Sequence, residues 1–408
     1  MSLRNSWAIA TLAGVGIFMT FVLRTNLSSV APIIGTKLHL TNFELGLLLS
    51  SYLWVYTVLQ PVAGWIIDRI GAKLSMLIGM AASSILTILS GFANSFLALL
   101  SLRVSLGVAA APNFVSGAKV TSSDWFTNDQ RAKATSIWIA GGRLGPVLAF
   151  PFAAWLGVSY GWPWAFFGTG LLGVLWCASW FFGFQDNPGE ASRPKWKSTT
   201  ARRTSLRKDL PVVLSPLGLG LAMSSFGQGY VAYYLNFWLP SYLVGQQGFQ
   251  IINAGIFATL PLISAVVTAI LVGGVLSDYL VKGGRSPVGL RRMLFSLGMT
   301  IVACMLVLTA YAPDQYTAIA ALCLAGGAWG FSTPSLWVAL VEATPKNLTG
   351  TMGGVQNFAG NVAGILVSVV TGYIVDVTGS FFLTLLAGSA AALLGAIFAL
   401  LLVKPQKR

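Results

Sequence analysis

Apolar residues occur in long runs along the chain, and short polar segments separate them. Each run is about twenty residues long, the length that an α-helix needs to cross a bilayer. The first run is too long for the core of a signal peptide, so we expect it to be a retained helix. The pattern predicts an all-α membrane protein with twelve transmembrane helices, at residues 7–30, 44–67, 74–93, 95–120, 132–157, 162–184, 211–244, 252–276, 291–311, 314–340, 349–375 and 380–403.

One long polar segment divides this pattern into two halves. Residues 186–209 read DNPGEASRPKWKSTTARRTSLRKD, a composition typical of a linker whose cations lie near anionic lipid headgroups. GWIIDRIGAK at 64–73 recurs in altered form as GGVLSDYLVKGGRSP at 273–287, which indicates an internal repeat. The sequence therefore predicts two pseudo-symmetric six-helix bundles, at 1–185 and 211–408, joined by a cytoplasmic basic linker at 186–210.

Composition and charge agree with a membrane protein. The 408 residues are 55% hydrophobic and only 9% charged, too few charges to cover a soluble protein of this size. The net charge of +14 comes from Lys and Arg gathered in alternate connections, which is a topology pattern rather than a nucleic-acid surface. We expect a multi-pass protein of the bacterial inner membrane, with both termini in the cytoplasm and no nucleic-acid partner.

Several motifs resemble one known family of carriers. GWIIDRIGAK fits G-x-x-x-D-R-x-G-x-K, which resembles the signature loop of the major facilitator superfamily. RTNL at 24–27, RVSLGVAAAPNF at 103–114 and NFAGNVAGILVSVVTGYIVD at 357–376 resemble its anion:cation symporter family. That family includes hexuronate, galactonate and aromatic-acid carriers and relatives of sialin and the vesicular glutamate carriers. The resemblance implies a transporter of a small organic anion, such as a sugar acid, that works by alternating access.

The resemblance also implies which residues bind the substrate. Arg24 and Tyr56 match the positions that hold the substrate carboxylate, and Arg103 matches the family's fourth-helix arginine. Further candidates are polar residues of the second half with one apolar wall residue, namely Gln228, Ser335, Asn357, Asn361 and Trp337. The loops that carry Asp68, Arg69 and Asp278 are expected to form the cytoplasmic gate.

Structural roles compete with binding at several of these positions. Arg24 could extend to the outer interface or bind backbone carbonyls, and Arg103 could be a structural tie within the first half. Arg143 is a further intramembrane cation that either faces the substrate or turns away from it. Asn357 and Asn361 could hold helices together instead of contacting a ligand.

Two acidic residues that the family uses for proton coupling are absent. Leu23 stands where an acid usually precedes the first-helix arginine, and Ala110 stands where the fourth helix usually has Glu. All eleven Asp and Glu residues fall at span ends or in loops, and His39 lies in the first outer loop. We therefore predict that protein carboxylates in the membrane do not carry protons during transport.

Other functions fit the sequence less well. A proton-linked drug or metabolite exporter is the main alternative, since GGRLGP at 141–146 resembles a drug-antiporter motif, but such a carrier needs a membrane acid. A membrane sensor would need an added domain, and the spans hold no set of residues typical of an enzyme. We expect membrane lipid around a monomer, no cofactor, no metal and three unpaired cysteines.

Overall fold

The structure, a computed structural model, describes residues 3–122, 126, 128–183, 211–282, 287–345 and 348–404, and every regular element in these ranges is helical. The linker predicted at 186–210 lies outside the described residues. Five helices precede it: α1 Leu3–Lys37, α2 Asn42–Ser90, α3 Phe96–Ser122, α4 Asn128–Ser159 and α5 Trp162–Gly183.

The second half contains shorter elements as well as long helices. One of them is a π-helix at Ala269–Leu276, which follows an α-helix at Thr259–Thr268 and precedes one at Ser277–Lys282. The α-helices are α6 Pro216–Phe237, α7 Leu239–Gly245, α8 Ile251–Phe257, α9 Thr259–Thr268, α10 Ser277–Lys282, α11 Pro287–Ala310, α12 Gln315–Ala343, α13 Thr349–Thr378 and α14 Phe382–Leu402.

Ten stretches of helix among the described residues are long and apolar enough to cross a membrane. The structure divides two of the predicted helices into shorter elements: the seventh, and the eighth, which comprises α8, α9 and the π-helix. Element α2 consists of two helices that meet at Gly71, where φ is 82° and ψ is 163°, and this break lies between the predicted second and third helices. Glycine adopts this backbone conformation without the penalty that a Cβ would bring. The predicted seventh helix is divided at Trp238 into α6 and α7, and Pro240 stands in the first turn of α7.

The contacts along the chain define two compact units, Met1–Thr199 with Gln250–Ile256, and Thr200–Phe249 with Phe257–Arg408. In the first unit, the N-terminal part of α1 packs into an apolar cluster with Met76, Met80, Trp176 and Trp180. The two tryptophan rings stack with centroids 5.1 Å apart. In the second unit, α6 packs closely on α13 through Gly229 and Gly360.

Glycines allow α4 to approach α1 in the first unit. A Cβ at Gly141 would overlap the carbonyl oxygen of Gly14, and one at Gly145 would lie 2.9 Å from the carbonyl oxygen of Phe18. Transmembrane helices associate through small residues in this way because lipid provides no hydrophobic force between them. This contact fixes the position of the α1 segment that carries Arg24.

Candidate functional site

Arg24 lies on α1 within a group of aromatic rings. Its side chain is buried, with 7% of its surface exposed. The guanidinium carbon is 5.0 Å from the ring centroid of Tyr52, 5.7 Å from that of Phe21 and 6.0 Å from that of Tyr56. Tyr52 and Tyr56 lie one turn apart on α2 and stack at 5.1 Å. The ring faces attract the cation, so these aromatics stabilise a buried charge.

Arg103 reaches α1 from α3 and contacts its backbone. Its Nη2 donates to the carbonyl oxygen of Arg24 at 2.7 Å, and its Nη1 donates to that of Leu23 at 3.3 Å. The side chain is 1% exposed. This geometry corresponds to the tie considered from the sequence, and it makes Arg103 a residue that positions Arg24. Direct binding of substrate by Arg103 stays a prediction.

Two side-chain amides hold α1 on either side of Arg24. Asn26 donates to Thr169 of α5 at 2.9 Å, and Asn113 of α3 donates to Thr20 at 3.2 Å. Both contacts are buried. Buried side-chain hydrogen bonds of this kind fix the rotation and depth of a helix, so the direction of Arg24 is set by three neighbouring contacts.

Arg143 lies on another side of α4. Gly141 and Gly145 face α1, and each residue rotates the helix by about 100°, so Arg143 projects roughly opposite to them. Its side chain is half-buried. The glycine contacts therefore direct Arg143 away from α1, and its binding role stays a prediction.

In the second unit, two of the predicted residues form hydrogen-bonded pairs between helices. Gln228 of α6 donates from Nε2 to the hydroxyl of Thr333 of α12 at 2.7 Å. Tyr233 of α6 donates from its hydroxyl to Oδ1 of Asn361 of α13 at 2.6 Å. Neither Thr333 nor Tyr233 was predicted from the sequence.

The remaining candidates of the second unit have different surroundings. Ser335 is buried and donates back to the carbonyl of Phe331 in its own helix at 3.0 Å. Asn357 is exposed, although it lies one turn from the buried Asn361. Trp337 is 43% exposed. The structure thus brings Gln228 and Asn361 into contacts with neighbouring polar groups, whereas Ser335 bonds within its helix.

The sequence prediction also missed a buried amide next to Asn357. Gln356 is fully buried, and neither Oε1 nor Nε2 has a hydrogen-bond partner within the described parts of the chain. An amide beside a predicted ligand residue, in an otherwise apolar span, is the pattern that could have indicated it.

The predicted cytoplasmic gate is described only in part. Asp68 lies in α2 and Asp278 in α10, and the side chains of both lie outside the described residues. Arg69 is exposed, with its guanidinium carbon 3.9 Å from the ring centroid of Trp65. Lys119 of α3 donates to the carbonyl of Ile67 at 3.0 Å, which joins α3 to this part of α2.

Acidic residues of the described helices lie near helix ends, or near the break at Gly71 in the case of Asp68. The others are Glu44, Asp129, Asp278, Glu342 and Asp376. No group of three or more His, Cys, Asp or Glu side chains in the described ranges is arranged to hold a metal ion.

The chain matches one family model, and the similar proteins with names are transporters. Residues 13–368 match the profile of the Major Facilitator Superfamily. The chain is 30% identical to the D-galactonate transporter of Escherichia coli O6:H1, over 99% of this chain and 97% of that protein. It is 27% identical to the hexuronate transporter of Bacillus subtilis, with 97% and 93% covered.

One solved structure shows the same fold. It is the crystal structure of a bacterial homolog of the human lysosomal transporter Spinster, in an inward-facing, unoccupied conformation. The TM-score is 0.76 at 19% identity, with 99% of this chain and 96% of that chain covered.

Proposed function

Because the chain belongs to the major facilitator superfamily, we propose that it carries a sugar acid or a similar small organic anion across the bacterial inner membrane by alternating access. Relatives that align over nearly the whole chain are named as transporters of galactonate and hexuronate. The proposed architecture is twelve transmembrane helices in two six-helix bundles, at 1–185 and 211–408, with both termini in the cytoplasm.

The observation that carries this proposal is the environment of Arg24. A guanidinium buried in an apolar span is costly, and it is retained where it serves a function. Its planar fork matches a carboxylate with two parallel hydrogen bonds, and Tyr52 and Tyr56 leave it in an apolar, weakly screened setting. We propose that Arg24 binds the substrate carboxylate and that Tyr56 supports it.

Binding measurements with two substitutions test this role. The purified protein is titrated with galactonate, glucuronate, glucarate, an aromatic acid and a phosphate ester. Arg24→Ala should weaken the preferred carboxylate about 10- to 100-fold, the range for hydrogen bonds to charged groups. The affinity of Arg24→Lys should lie between those of the wild type and Arg24→Ala, because an ammonium keeps the charge but lacks the planar fork of a guanidinium. Unchanged affinity in Arg24→Ala would contradict the proposal.

We also propose that protein carboxylates do not couple this transport to protons. Transport is then facilitated, an exchange, or a co-transport in which the substrate itself carries the proton. The position of acidic residues near helix ends supports this mechanism. Proteoliposomes with an imposed pH gradient test it: a fully ionised substrate should not accumulate, and strong accumulation would exclude the mechanism.

Drug export is the alternative within transport. A carrier of cationic drugs needs an acidic residue in its binding region, whereas the first unit has the buried cation Arg24. We therefore expect cationic drugs not to compete with sugar acids for binding.

A further inference from the structure

Ser28 differs from the threonines of the same helix in its hydrogen bonding. Thr20, Thr25 and Thr36 of α1 each donate to the carbonyl four residues earlier, at 3.0, 2.8 and 3.2 Å. Ser28 is fully buried, yet its hydroxyl has no hydrogen-bond partner among the residues that the structure describes. A buried hydroxyl without a partner costs free energy, so this position needs an explanation.

The explanation lies in the contact between Arg103 and Arg24. The carbonyl four residues before Ser28 is that of Arg24, and it accepts a hydrogen bond from Nη2 of Arg103 at 2.7 Å. The backbone N–H of Ser28 donates to the same carbonyl in a regular helix. A carbonyl oxygen has two lone pairs, so Arg103 occupies the acceptor that the Ser28 hydroxyl would otherwise use.

Pro32 affects the main-chain carbonyl oxygen of Ser28. In a helix, the carbonyl of Ser28 would accept the N–H of residue 32, and α1 contains Pro32 at that position. Proline has no N–H. Ser28 therefore presents a hydroxyl without a partner and a carbonyl without its usual helical donor, an arrangement suited to a ligand that bears hydroxyl groups.

Ser28 and Arg24 lie on the same face of α1. They are four residues apart, about 6 Å along the axis, and helical side chains lean toward the N-terminus, which adds to the distance between Ser28 and the guanidinium. A carboxylate bound at Arg24 would thus leave Ser28 opposite a later carbon of the same molecule. Both residues are buried here, so access to them requires the conformational change that alternating access provides.

We infer that Ser28 is a specificity-determining residue, which binds a chain hydroxyl of a polyhydroxylated acid whose carboxylate is held by Arg24. This inference rests on the proposed function, since it requires the carboxylate at Arg24. It predicts that the carrier prefers sugar acids over acids of equal length without hydroxyls. It also assigns Arg103 a second effect, because its hydrogen bond leaves the Ser28 hydroxyl available.

Ser28→Ala is tested against D-galactonate and its monodeoxy analogues, each lacking one chain hydroxyl, by equilibrium binding to the full-length protein. In the wild type, loss of the hydroxyl that Ser28 binds should weaken binding about three- to ten-fold. In Ser28→Ala, the affinity for D-galactonate should fall by that same factor. The analogue that lacks this hydroxyl should then bind Ser28→Ala as tightly as it binds the wild type.

Ser29→Ala is the matched control. Ser29 is also buried, with a hydroxyl that lacks a partner in the described ranges, but it lies about 100° around the helix from Ser28. It should leave the analogue pattern of the wild type unchanged. Equal weakening of all analogues by Ser28→Ala, no weakening at all, or the same pattern in Ser29→Ala would each overturn the inference.

The Arg24 and Ser28 variants together distinguish a failure of this inference from a failure of the proposed function. If Arg24→Ala abolishes sugar-acid binding and Ser28→Ala changes no analogue ratio, only the role of Ser28 is wrong. If Arg24→Ala keeps full affinity, or no sugar acid binds the wild type, the proposed function and this inference are both wrong.

Discussion

Arg103 donates a 2.7 Å hydrogen bond to the main-chain carbonyl of Arg24, the residue that we propose as the carboxylate anchor. One buried arginine thereby positions another through its main chain. The arrangement places two cations on neighbouring helices, and the cost of burying Arg103 is offset by hydrogen bonds to backbone dipoles rather than by an acid. Arg103 thus stabilises the α1–α3 contact and sets the depth of Arg24.

Substitution of Arg103 should therefore affect stability and binding together. Arg103→Ala removes two hydrogen bonds from a charged donor, each worth about 1.5–3 kcal/mol, and should lower the unfolding temperature and weaken sugar-acid binding. Arg103→Lys should lie between, because one ammonium cannot follow the fork geometry to both carbonyls. Thermal unfolding in detergent and equilibrium binding measure the two effects. A normal unfolding temperature in Arg103→Ala would show that the tie carries no stability.

Tyr52 should contribute through its ring face. Tyr52→Phe keeps a ring 5.0 Å from the Arg24 guanidinium and should leave affinity within about two-fold, whereas Tyr52→Ala should weaken binding about 3- to 30-fold. Tyr56→Phe is the comparison, since it removes the hydroxyl that the family resemblance assigns to the carboxylate. Equal losses in Tyr52→Phe and Tyr52→Ala would mean that the Tyr52 hydroxyl, and not its ring, is required.

The sequence indicated Arg24 and Tyr56 as candidate ligands, and it did not indicate Tyr52. Tyr52 lies one helical turn before Tyr56, so the spacing alone could have indicated it. Thr333 and Tyr233 are different, because their pairing with Gln228 and Asn361 depends on how neighbouring helices are rotated about their axes. Hydropathy gives the length of a span, and it carries no information on that rotation.

Hydropathy can indicate a break between helices only where the polarity of the sequence changes. The apolar pattern predicted separate second and third helices at 44–67 and 74–93, and the non-helical backbone at Gly71 within α2 lies between them. The polar segment between these two apolar runs therefore indicated the break. The division of α6 from α7 at Trp238 occurs inside an apolar run, where hydropathy does not change.

The contact between α1 and α4 should be sensitive to a single methyl group. Gly141→Ala places a Cβ against the carbonyl oxygen of Gly14, a backbone atom that cannot move independently of its helix. We expect a loss of about 1–3 kcal/mol in stability, measured by thermal unfolding in detergent. Gly354→Ala in α13 is the matched control, because its Cβ would meet nothing within 4 Å. It should be neutral or slightly stabilising.

The hydrogen bond between Tyr233 and Asn361 should join α6 to α13 energetically. Tyr233→Phe and Asn361→Ala should each lower stability by about 1 kcal/mol, and the double variant should lose less than the sum, because both single changes remove the same bond. Unfolding temperatures of the four proteins give the coupling. Strict additivity would mean that the bond contributes nothing to stability.

Asp314 should make the start of α12 dependent on pH. Its carboxylate accepts the hydroxyl of Thr317 at 2.7 Å and the backbone N–H groups of Thr317 and Tyr316 at 2.9 Å, which lowers the pKa of Asp314 below its ordinary value of 3.8. Since the folded-state pKa is the lower one, the stabilisation is complete above pH 3.8 and is lost as the pH falls through the folded-state pKa.

Unfolding temperatures measured between pH 3 and pH 7 therefore distinguish two substitutions at Asp314. Asp314→Ala should be less stable than the wild type at neutral pH, and the difference should shrink toward the acid end of the range. Asp314→Asn keeps an oxygen that caps the helix, because Asn is as good an N-cap as Asp, so its stability relative to Asp314→Ala should not vary with pH. A difference between wild type and Asp314→Ala that stays constant across the range would show that the ionised carboxylate does not stabilise α12.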